Sequence, residues 1–91
     1  MKIVEYFSPT CIPCKILKSR LESLKQDYPE VDIQFVNVIE NPTKGIQGVP
    51  HLWVQADTGE ILINERVDLT VIKKLKDLLD KNIWESHIIE L

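Results

Sequence analysis

Two cysteines, Cys11 and Cys14, are the only cysteines of the chain and the residues best suited to do chemistry. They stand between a run of β-branched and aromatic residues and a run of apolar residues with helical spacing. The first N–H groups of a helix lack partners and carry partial positive charge, so an N-cap cysteine is favoured as thiolate. If Cys11 is that N-cap residue, Pro13 cannot donate, and the Cys14 N–H becomes the natural donor to the Cys11 sulfur. We therefore predict that Cys11 attacks disulfides and that Cys14 resolves the mixed disulfide.

Two other roles for the cysteine pair compete with redox chemistry. Cys11 and Cys14 could be small apolar residues that happen to lie close together. They could also be zinc ligands, but such a site needs two further ligands. The only candidates, His51 and His87, lack the paired spacing of a Cys2His2 site. The sequence therefore predicts no metal site and no cofactor.

Length and charge limit the class of protein. The chain has 91 residues, which is enough for one small domain, and its formal net charge is −3. It lacks the basic excess typical of nucleic-acid binding, so no nucleic-acid partner is predicted. The N-terminus lacks the long apolar stretch of a signal peptide, and no run approaches the roughly 18 apolar residues of a membrane span. We expect a cytoplasmic protein without a membrane partner, in which a lone cysteine pair cycles between redox states.

Hydrophobic spacing and turn residues predict four strands and two long helices. The strands are expected at residues 2–7, 31–39, 51–55 and 60–67. One helix follows the cysteines and ends at Pro29, and the other begins after Thr70 as its N-cap. The apolar face of the first helix would be formed by Cys14, Leu17, Leu21, Leu24 and Tyr28. A strand–helix–strand crossover gives a parallel pair and a hairpin an antiparallel one, so we predict an α/β fold with a mixed four-stranded sheet flanked by helices.

The end of the given sequence is unusually apolar. Its apolar residues are Ile83, Trp84, Ile88, Ile89 and Leu91. We therefore divide the chain into a domain at residues 1–82 and an apolar C-terminal extension at residues 83–91. We expect a monomer, with the extension either docking on the domain or pairing with another subunit.

Three motifs accompany this order of elements. They are Cys11-Ile12-Pro13-Cys14 followed by Lys15, Gly48-Val49-Pro50, and Asn37-Val38 followed by Asn41-Pro42. With these motifs, the chain resembles the thioredoxin and glutaredoxin superfamily from about Ile3 to Leu79. The resemblance implies a thioredoxin-like fold that lacks the extra N-terminal strand and helix of full thioredoxins, as glutaredoxins do.

The resemblance also implies roles for residues outside the cysteine motif. The Val49–Pro50 peptide bond should be cis and face the cysteines, so that the Val49 backbone can pair with a bound peptide. Val49, Pro50 and Pro13 are thus the predicted substrate-binding residues. Glu5 occupies the position of thioredoxin's buried acid, where a carboxyl with a raised pKa could exchange the proton of Cys14. From strand alternation alone, Glu5 could instead point to solvent. Pro50 could instead be a trans proline that starts an edge strand.

Several residues depart from the thioredoxin pattern. Phe35 stands where thioredoxins place a lysine that pairs with the buried acid, so Glu5 is expected to lack that partner. Thr10 replaces the tryptophan before the first cysteine, and Asp68 replaces a glycine of the surface groove. Substrate preference is therefore expected to differ from that of thioredoxins. His51 could act as a cation near the sulfurs or could face water.

We predict a thiol–disulfide oxidoreductase that reduces disulfides of protein substrates through Cys11 and Cys14. A glutaredoxin would show a Gly-Gly pair and a following Asp after the hairpin to hold glutathione, and residues 61–66 have neither. A flavoprotein disulfide reductase is therefore the expected electron donor. Two alternatives stay open: a module whose cysteines hold a metal or bridging cluster between two chains, and a redox-switched interaction protein without turnover.

Overall fold

Four strands and two helices make up the computed structural model, which describes residues 1–89 and the side chains of residues 1–81. The elements are β1 (Lys2–Phe7), α1 (Ile12–Asp27), β2 (Asp32–Asn37), β3 (His51–Gln55), β4 (Ile61–Arg66) and α2 (Val71–Ile89). The bounds of β1 and β3 agree with the prediction, whereas β2 and β4 are each shorter than predicted at both ends.

The four strands form one mixed sheet in the order β2-β1-β3-β4. Strands β1 and β2 are parallel, and α1 crosses over between them. Strand β3 runs antiparallel to both of its neighbours. Its first residue, His51, therefore lies opposite Tyr6, near the C-terminal end of β1. The cysteine loop that follows β1 and the Pro50 that precedes β3 consequently lie at the same end of the sheet.

Helix α1 buries one face and ends where the sequence predicts. The residues of its buried face are Cys14, Leu17, Leu21 and Leu24. Pro29 cannot continue the helix, and the Tyr28 N–H closes it by donating to the Leu24 carbonyl at 2.9 Å. One turn earlier, Lys25 Nζ donates to the Val31 carbonyl at 2.9 Å and ties the end of α1 to the chain that enters β2.

The hydrophobic core lies between one face of the sheet and both helices. Ile3, Val54 and Ile63 are aligned across three adjacent strands and are at most 4% exposed. The helices complete this core with Leu17, Leu21, Leu24, Val71, Leu75 and Leu79. Because inward residues of neighbouring strands share a face, Glu5 on β1 points to this covered side together with Leu52.

The connector at residues 38–50 leads from β2 to β3. Asn37 ends the strand because its Oδ1 accepts the N–H groups of Ile39 at 2.9 Å and Glu40 at 3.4 Å, which turns the chain. The connector is held at both ends by backbone hydrogen bonds. Val38 donates to Phe7 at 2.9 Å, and Pro50 accepts from Val67 at 3.0 Å.

Helix α2 begins after a short turn made by Asp68. Its carboxylate accepts the Thr70 N–H at 2.9 Å and also the Thr70 hydroxyl. The Thr70 hydroxyl is thus a donor, not the capping acceptor that the sequence suggested. The docking or pairing predicted for the extension at residues 83–91 lies outside the described side chains. Within the described part of the chain, no helix is both long and apolar enough to cross a bilayer.

Candidate active site

The two cysteines are joined in a disulfide at the start of α1. Their Cα atoms are 5.2 Å apart, and Cys11 is the N-cap residue with φ −85° and ψ 106°. Pro13 occupies the first turn, and the Cys14 N–H donates to Cys11 Sγ at 3.2 Å. The predicted cap and the predicted donor are both confirmed. This bond directs a helix-terminal dipole at the Cys11 sulfur and favours its ionised form once the disulfide is reduced.

The two sulfurs differ in their access to solvent. Cys14 is only 1% exposed, on the inner face of α1, whereas Cys11 is half-buried at the helix start. Cys11 is held in place by its own N–H, which donates to the Ser8 carbonyl at 3.1 Å. An incoming disulfide can therefore reach Cys11 more readily than Cys14.

The predicted substrate-binding residues lie around this end of the sheet. The Val49–Pro50 peptide bond is cis, as expected. Pro50 is buried and Val49 is half-buried, whereas Pro13 is exposed on the first turn of α1. The topology brings the Val49–Pro50 segment and the cysteine loop to one end of the sheet, and peptide binding by these residues stays a prediction.

Glu5 is fully buried in the middle of the sheet, with 0% of its surface exposed. Its neighbours across the strands are Phe35 on β2 and Leu52 on β3. Neither carboxyl oxygen has a hydrogen-bond partner in the described part of the chain. Burial raises the pKa of Glu5 from 4.5 to about 8, because the charged form loses its hydration. The alternative in which Glu5 points to solvent is wrong.

A lysine that the sequence analysis did not connect with Glu5 lies nearby. Lys18 Nζ is 5.1 Å from the centroid of the Phe35 ring, and Phe35 is the cross-strand neighbour of Glu5. The positive charge of Lys18 opposes burial and lowers the pKa of Glu5, but it is the smaller effect. No hydrogen bond joins Lys18 to Glu5. Glu5 therefore lacks a directly paired lysine, as predicted from Phe35 at the position where thioredoxins place that lysine. The sequence held one signal for this neighbour: Lys18 follows Cys14 by one helical turn, so the two residues lie on the same side of α1.

His51 does not face water, so that alternative of the sequence analysis is wrong. The ring is 7% exposed, and its Nε2 lies 2.8 Å from Asn64 Oδ1 on β4. It also packs edge-on against the Tyr6 ring, with centroids 5.8 Å apart. Because a carbonyl oxygen can only accept, this contact assigns a proton to Nε2 and fixes the ring orientation.

Metal ligands are not gathered at this end of the sheet. Among the residues that the structure describes, no group of three or more His, Cys, Asp or Glu side chains is arranged to hold a metal ion. Nε2 of the His51 ring is engaged by Asn64, so within the described residues Nδ1 is the His51 nitrogen that could bind a metal ion.

Comparison of the sequence with known proteins gives a consistent match. The Thioredoxin family model matches residues 1–81. A thioredoxin of Buchnera aphidicola subsp. Schizaphis graminum is 31% identical over 86 residues, which cover 89% of this chain and 78% of that protein. A thioredoxin of Staphylococcus haemolyticus is 32% identical over 88 residues, covering 91% of this chain and 83% of the relative.

Solved structures share the fold at lower sequence identity. Thioredoxin 1 from Thermosipho africanus superposes with a TM-score of 0.72 at 22% identity, covering 90% of this chain and 98% of the other. Oxidised mitochondrial thioredoxin 3 from Saccharomyces cerevisiae gives a TM-score of 0.67 at 23% identity, covering 84% and 76%. The sheet order, the helix-capping cysteine and these relatives agree. The chain belongs to the thioredoxin family, and its Cys11–Cys14 pair makes it a thiol–disulfide oxidoreductase.

Proposed function

We propose that this protein reduces disulfide bonds of other proteins, with Cys11 as the nucleophile and Cys14 as the resolving thiol. The hydrogen bond from the Cys14 N–H to Cys11 Sγ carries this proposal, because it favours the thiolate on the more accessible sulfur. The Cys11 thiolate attacks one substrate sulfur, and the other leaves as a thiolate. Cys14, once deprotonated, attacks Cys11 Sγ and releases the second substrate thiolate. Two electrons pass to the substrate, and the Cys11–Cys14 disulfide forms.

Glu5 is the proposed partner that exchanges a proton with Cys14. Both side chains are buried on the helix-covered side of the sheet, and the Glu5 oxygens have no other partner among the described residues. A pKa of about 8 for Glu5 lies close to the ordinary value of a thiol, which is about 8.5. Proton transfer between groups of similar pKa costs little free energy, so the ionised fraction of Glu5 can accept the Cys14 proton and protonated Glu5 can return it.

Val49, Pro50 and Pro13 form the proposed contact surface for the substrate backbone. Within residues 1–81, neither the N–H nor the C=O of Val49 makes a hydrogen bond. Both groups can therefore pair with an extended substrate segment, as an added strand does. Pro13 is exposed at the helix start and would contact the same segment from the other side of Cys11.

The remaining assignments concern the cellular setting of this chemistry. We place the protein in the cytoplasm, with disulfide-containing proteins as substrates and a flavoprotein disulfide reductase as the electron donor. The absence of the Gly-Gly and Asp signature after the hairpin supports this donor over glutathione. We assign turnover to residues 1–82 of a monomer, and docking or subunit pairing to the extension at residues 83–91. Truncation before residue 83 with no change in stability or oligomeric state would reject that role of the extension.

Trapping and turnover test the assignment of the two cysteines. Cys14→Ser should accumulate a mixed disulfide between Cys11 and substrate, because no thiol remains to release the substrate. Cys11→Ser is the matched control and should trap nothing. The wild type should accelerate the reduction of insulin by dithiothreitol, whereas a redox-switched interaction protein would not. A Cys14→Ser protein that traps no substrate while Cys11 remains alkylatable would contradict the mechanism.

A further inference from the structure

A cavity adjoins the Val49–Pro50 segment and is not used by the redox chemistry. It has a volume of about 360 Å³ and is lined by Gly45, Gln47, Gly48, His51 and Arg66. Gly48 and His51 flank Val49–Pro50 in the sequence. The cavity thus lies next to the backbone groups that are proposed to hold the substrate.

Arg66 provides the charge of this cavity. It is the last residue of β4 and lies opposite His51 in the sheet. Its stem crosses the connector at Gly48, where an added Cβ would lie 3.3 Å from Arg66 Cδ and 3.6 Å from Nε. Within residues 1–81, the guanidinium takes part in no ion pair; the ion pair found there joins the Met1 amino group and Asp57. Its charge is therefore available to a ligand.

No carboxylate within residues 1–81 forms an ion pair with this charge. Asp68 follows Arg66 closely in the chain, but its carboxylate is engaged by the N–H and hydroxyl of Thr70. The Thr70 hydroxyl and N–H lower the pKa of Asp68, so that carboxylate stays ionised and bound at neutral pH. His51 also lines the cavity, and its Nε2 is engaged by Asn64. Gln47 adds an amide that can donate.

We propose that this cavity binds the carboxylate of an aspartate or glutamate side chain close to the disulfide of a protein substrate. The proposal rests on the protein-disulfide reductase function above. A guanidinium offers a planar pair of N–H donors that matches a carboxylate, and the Gln47 amide can supply a further donor. A substrate segment paired with Val49 would carry its adjacent side chains past Gly48, where the Arg66 stem lies against the connector. The site therefore selects disulfides that have an acidic neighbour.

Paired peptide substrates test this selection. Two disulfide-bonded peptides would differ only in Glu or Gln beside one cysteine, with the substitution made in turn on each side. The wild type should reduce the Glu peptide with a kcat/KM about fivefold higher at low salt, the size of a charge-assisted contact that is partly open to water. This ratio should fall as salt is raised, because ions screen the contact. Arg66→Gln should bring the ratio close to one.

Arg20→Gln is the matched control, since Arg20 is the other arginine of the chain and lies exposed on α1. It makes the same change in net charge and should keep the wild-type ratio. Equal rates for Glu and Gln peptides in the wild type would overturn the proposal, as would an equal loss of the ratio in Arg20→Gln. If Arg66→Gln slows reduction of oxidised glutathione while the peptide ratio stays unchanged, the cavity binds a small-molecule carboxylate and the proposal is wrong. If no peptide is reduced at all, the reductase function fails together with it.

Discussion

Replacement of Glu5 by glutamine should make the protein more resistant to alkaline pH. In the folded protein burial raises the pKa of Glu5 from 4.5 to about 8, so the folded state holds this proton over a range in which the unfolded chain releases it. The contribution of Glu5 to stability is therefore highest below about pH 4.5 and is lost as pH rises to about 8, because the unfolded chain gains free energy by releasing a proton that the folded state retains. Glutamine fills the same space and does not titrate.

The size of this effect follows from the pKa values. Each pH unit between the two pKa values corresponds to about 1.4 kcal/mol, so the full penalty above pH 8 is about 5 kcal/mol. About 4 kcal/mol of this falls between pH 5 and pH 9, since the unfolded chain is already partly ionised at pH 5. That is a large share of the total stability of about 5–15 kcal/mol that is typical of a small domain.

Urea unfolding of the disulfide form at pH values from 5 to 9 measures this penalty, because neither cysteine titrates in that form. The free energy of unfolding of the wild type should decline more steeply than that of Glu5→Gln, by about 4 kcal/mol over the range. Glu22→Gln is the matched control, since Glu22 is exposed on α1 and its replacement should leave the slope of the wild type unchanged. Parallel pH profiles for the wild type and Glu5→Gln would refute the reasoning.

Two further changes test the surroundings of Glu5 and the core. Lys18→Met should raise the pKa of Glu5 further, because the opposing cation is removed, so the free energy of unfolding should continue to fall up to a higher pH. Lys15→Met on the same helix should leave this pH profile unchanged. An unchanged profile in Lys18→Met would contradict the influence of Lys18 on Glu5. Leu75→Ala should lower the free energy of unfolding by about 2–5 kcal/mol, since the Leu75 side chain is fully buried. Ile39→Ala should lower it by about 0.5 kcal/mol or less, since Ile39 is 68% exposed. Equal losses for the last two variants in urea unfolding would contradict the described core.

Local signals in the sequence were sufficient for most of the fold. The spacing of Leu17, Leu21 and Leu24 predicted the buried face of α1, because a helix that packs on one side repeats its apolar residues by turns. Cys11 as the N-cap and Pro13 behind it followed from the chemistry of a helix start. The family resemblance supplied the cis bond before Pro50, which no spacing rule would have given.

The differences arise where a side chain decides the local structure. The predicted strand at residues 31–39 extended too far, because apolar residues on both sides of Asn37 continue the strand pattern. The Asn37 carboxamide instead accepts two N–H groups and turns the chain. The Val31 N–H donates to the Tyr28 carbonyl and so belongs to the turn after α1.

Contacts between distant segments account for the rest. The burial of His51 depends on Asn64 and Tyr6, which come from two other strands. The influence of Lys18 on Glu5 likewise depends on a crossover that brings α1 onto the sheet. The contacts of His51 depend on strand register and the influence of Lys18 depends on helix packing, and neither follows from the spacing within a single segment.

The connector at residues 38–50 has a wider consequence. It is fastened to the sheet at Phe7 and at Val67, and between these two anchors it supplies Gly45, Gln47 and Gly48 but neither sulfur. Under the proposed function, exchange of residues 39–47 would change substrate contacts while Cys11 and Cys14 keep their positions at the start of α1.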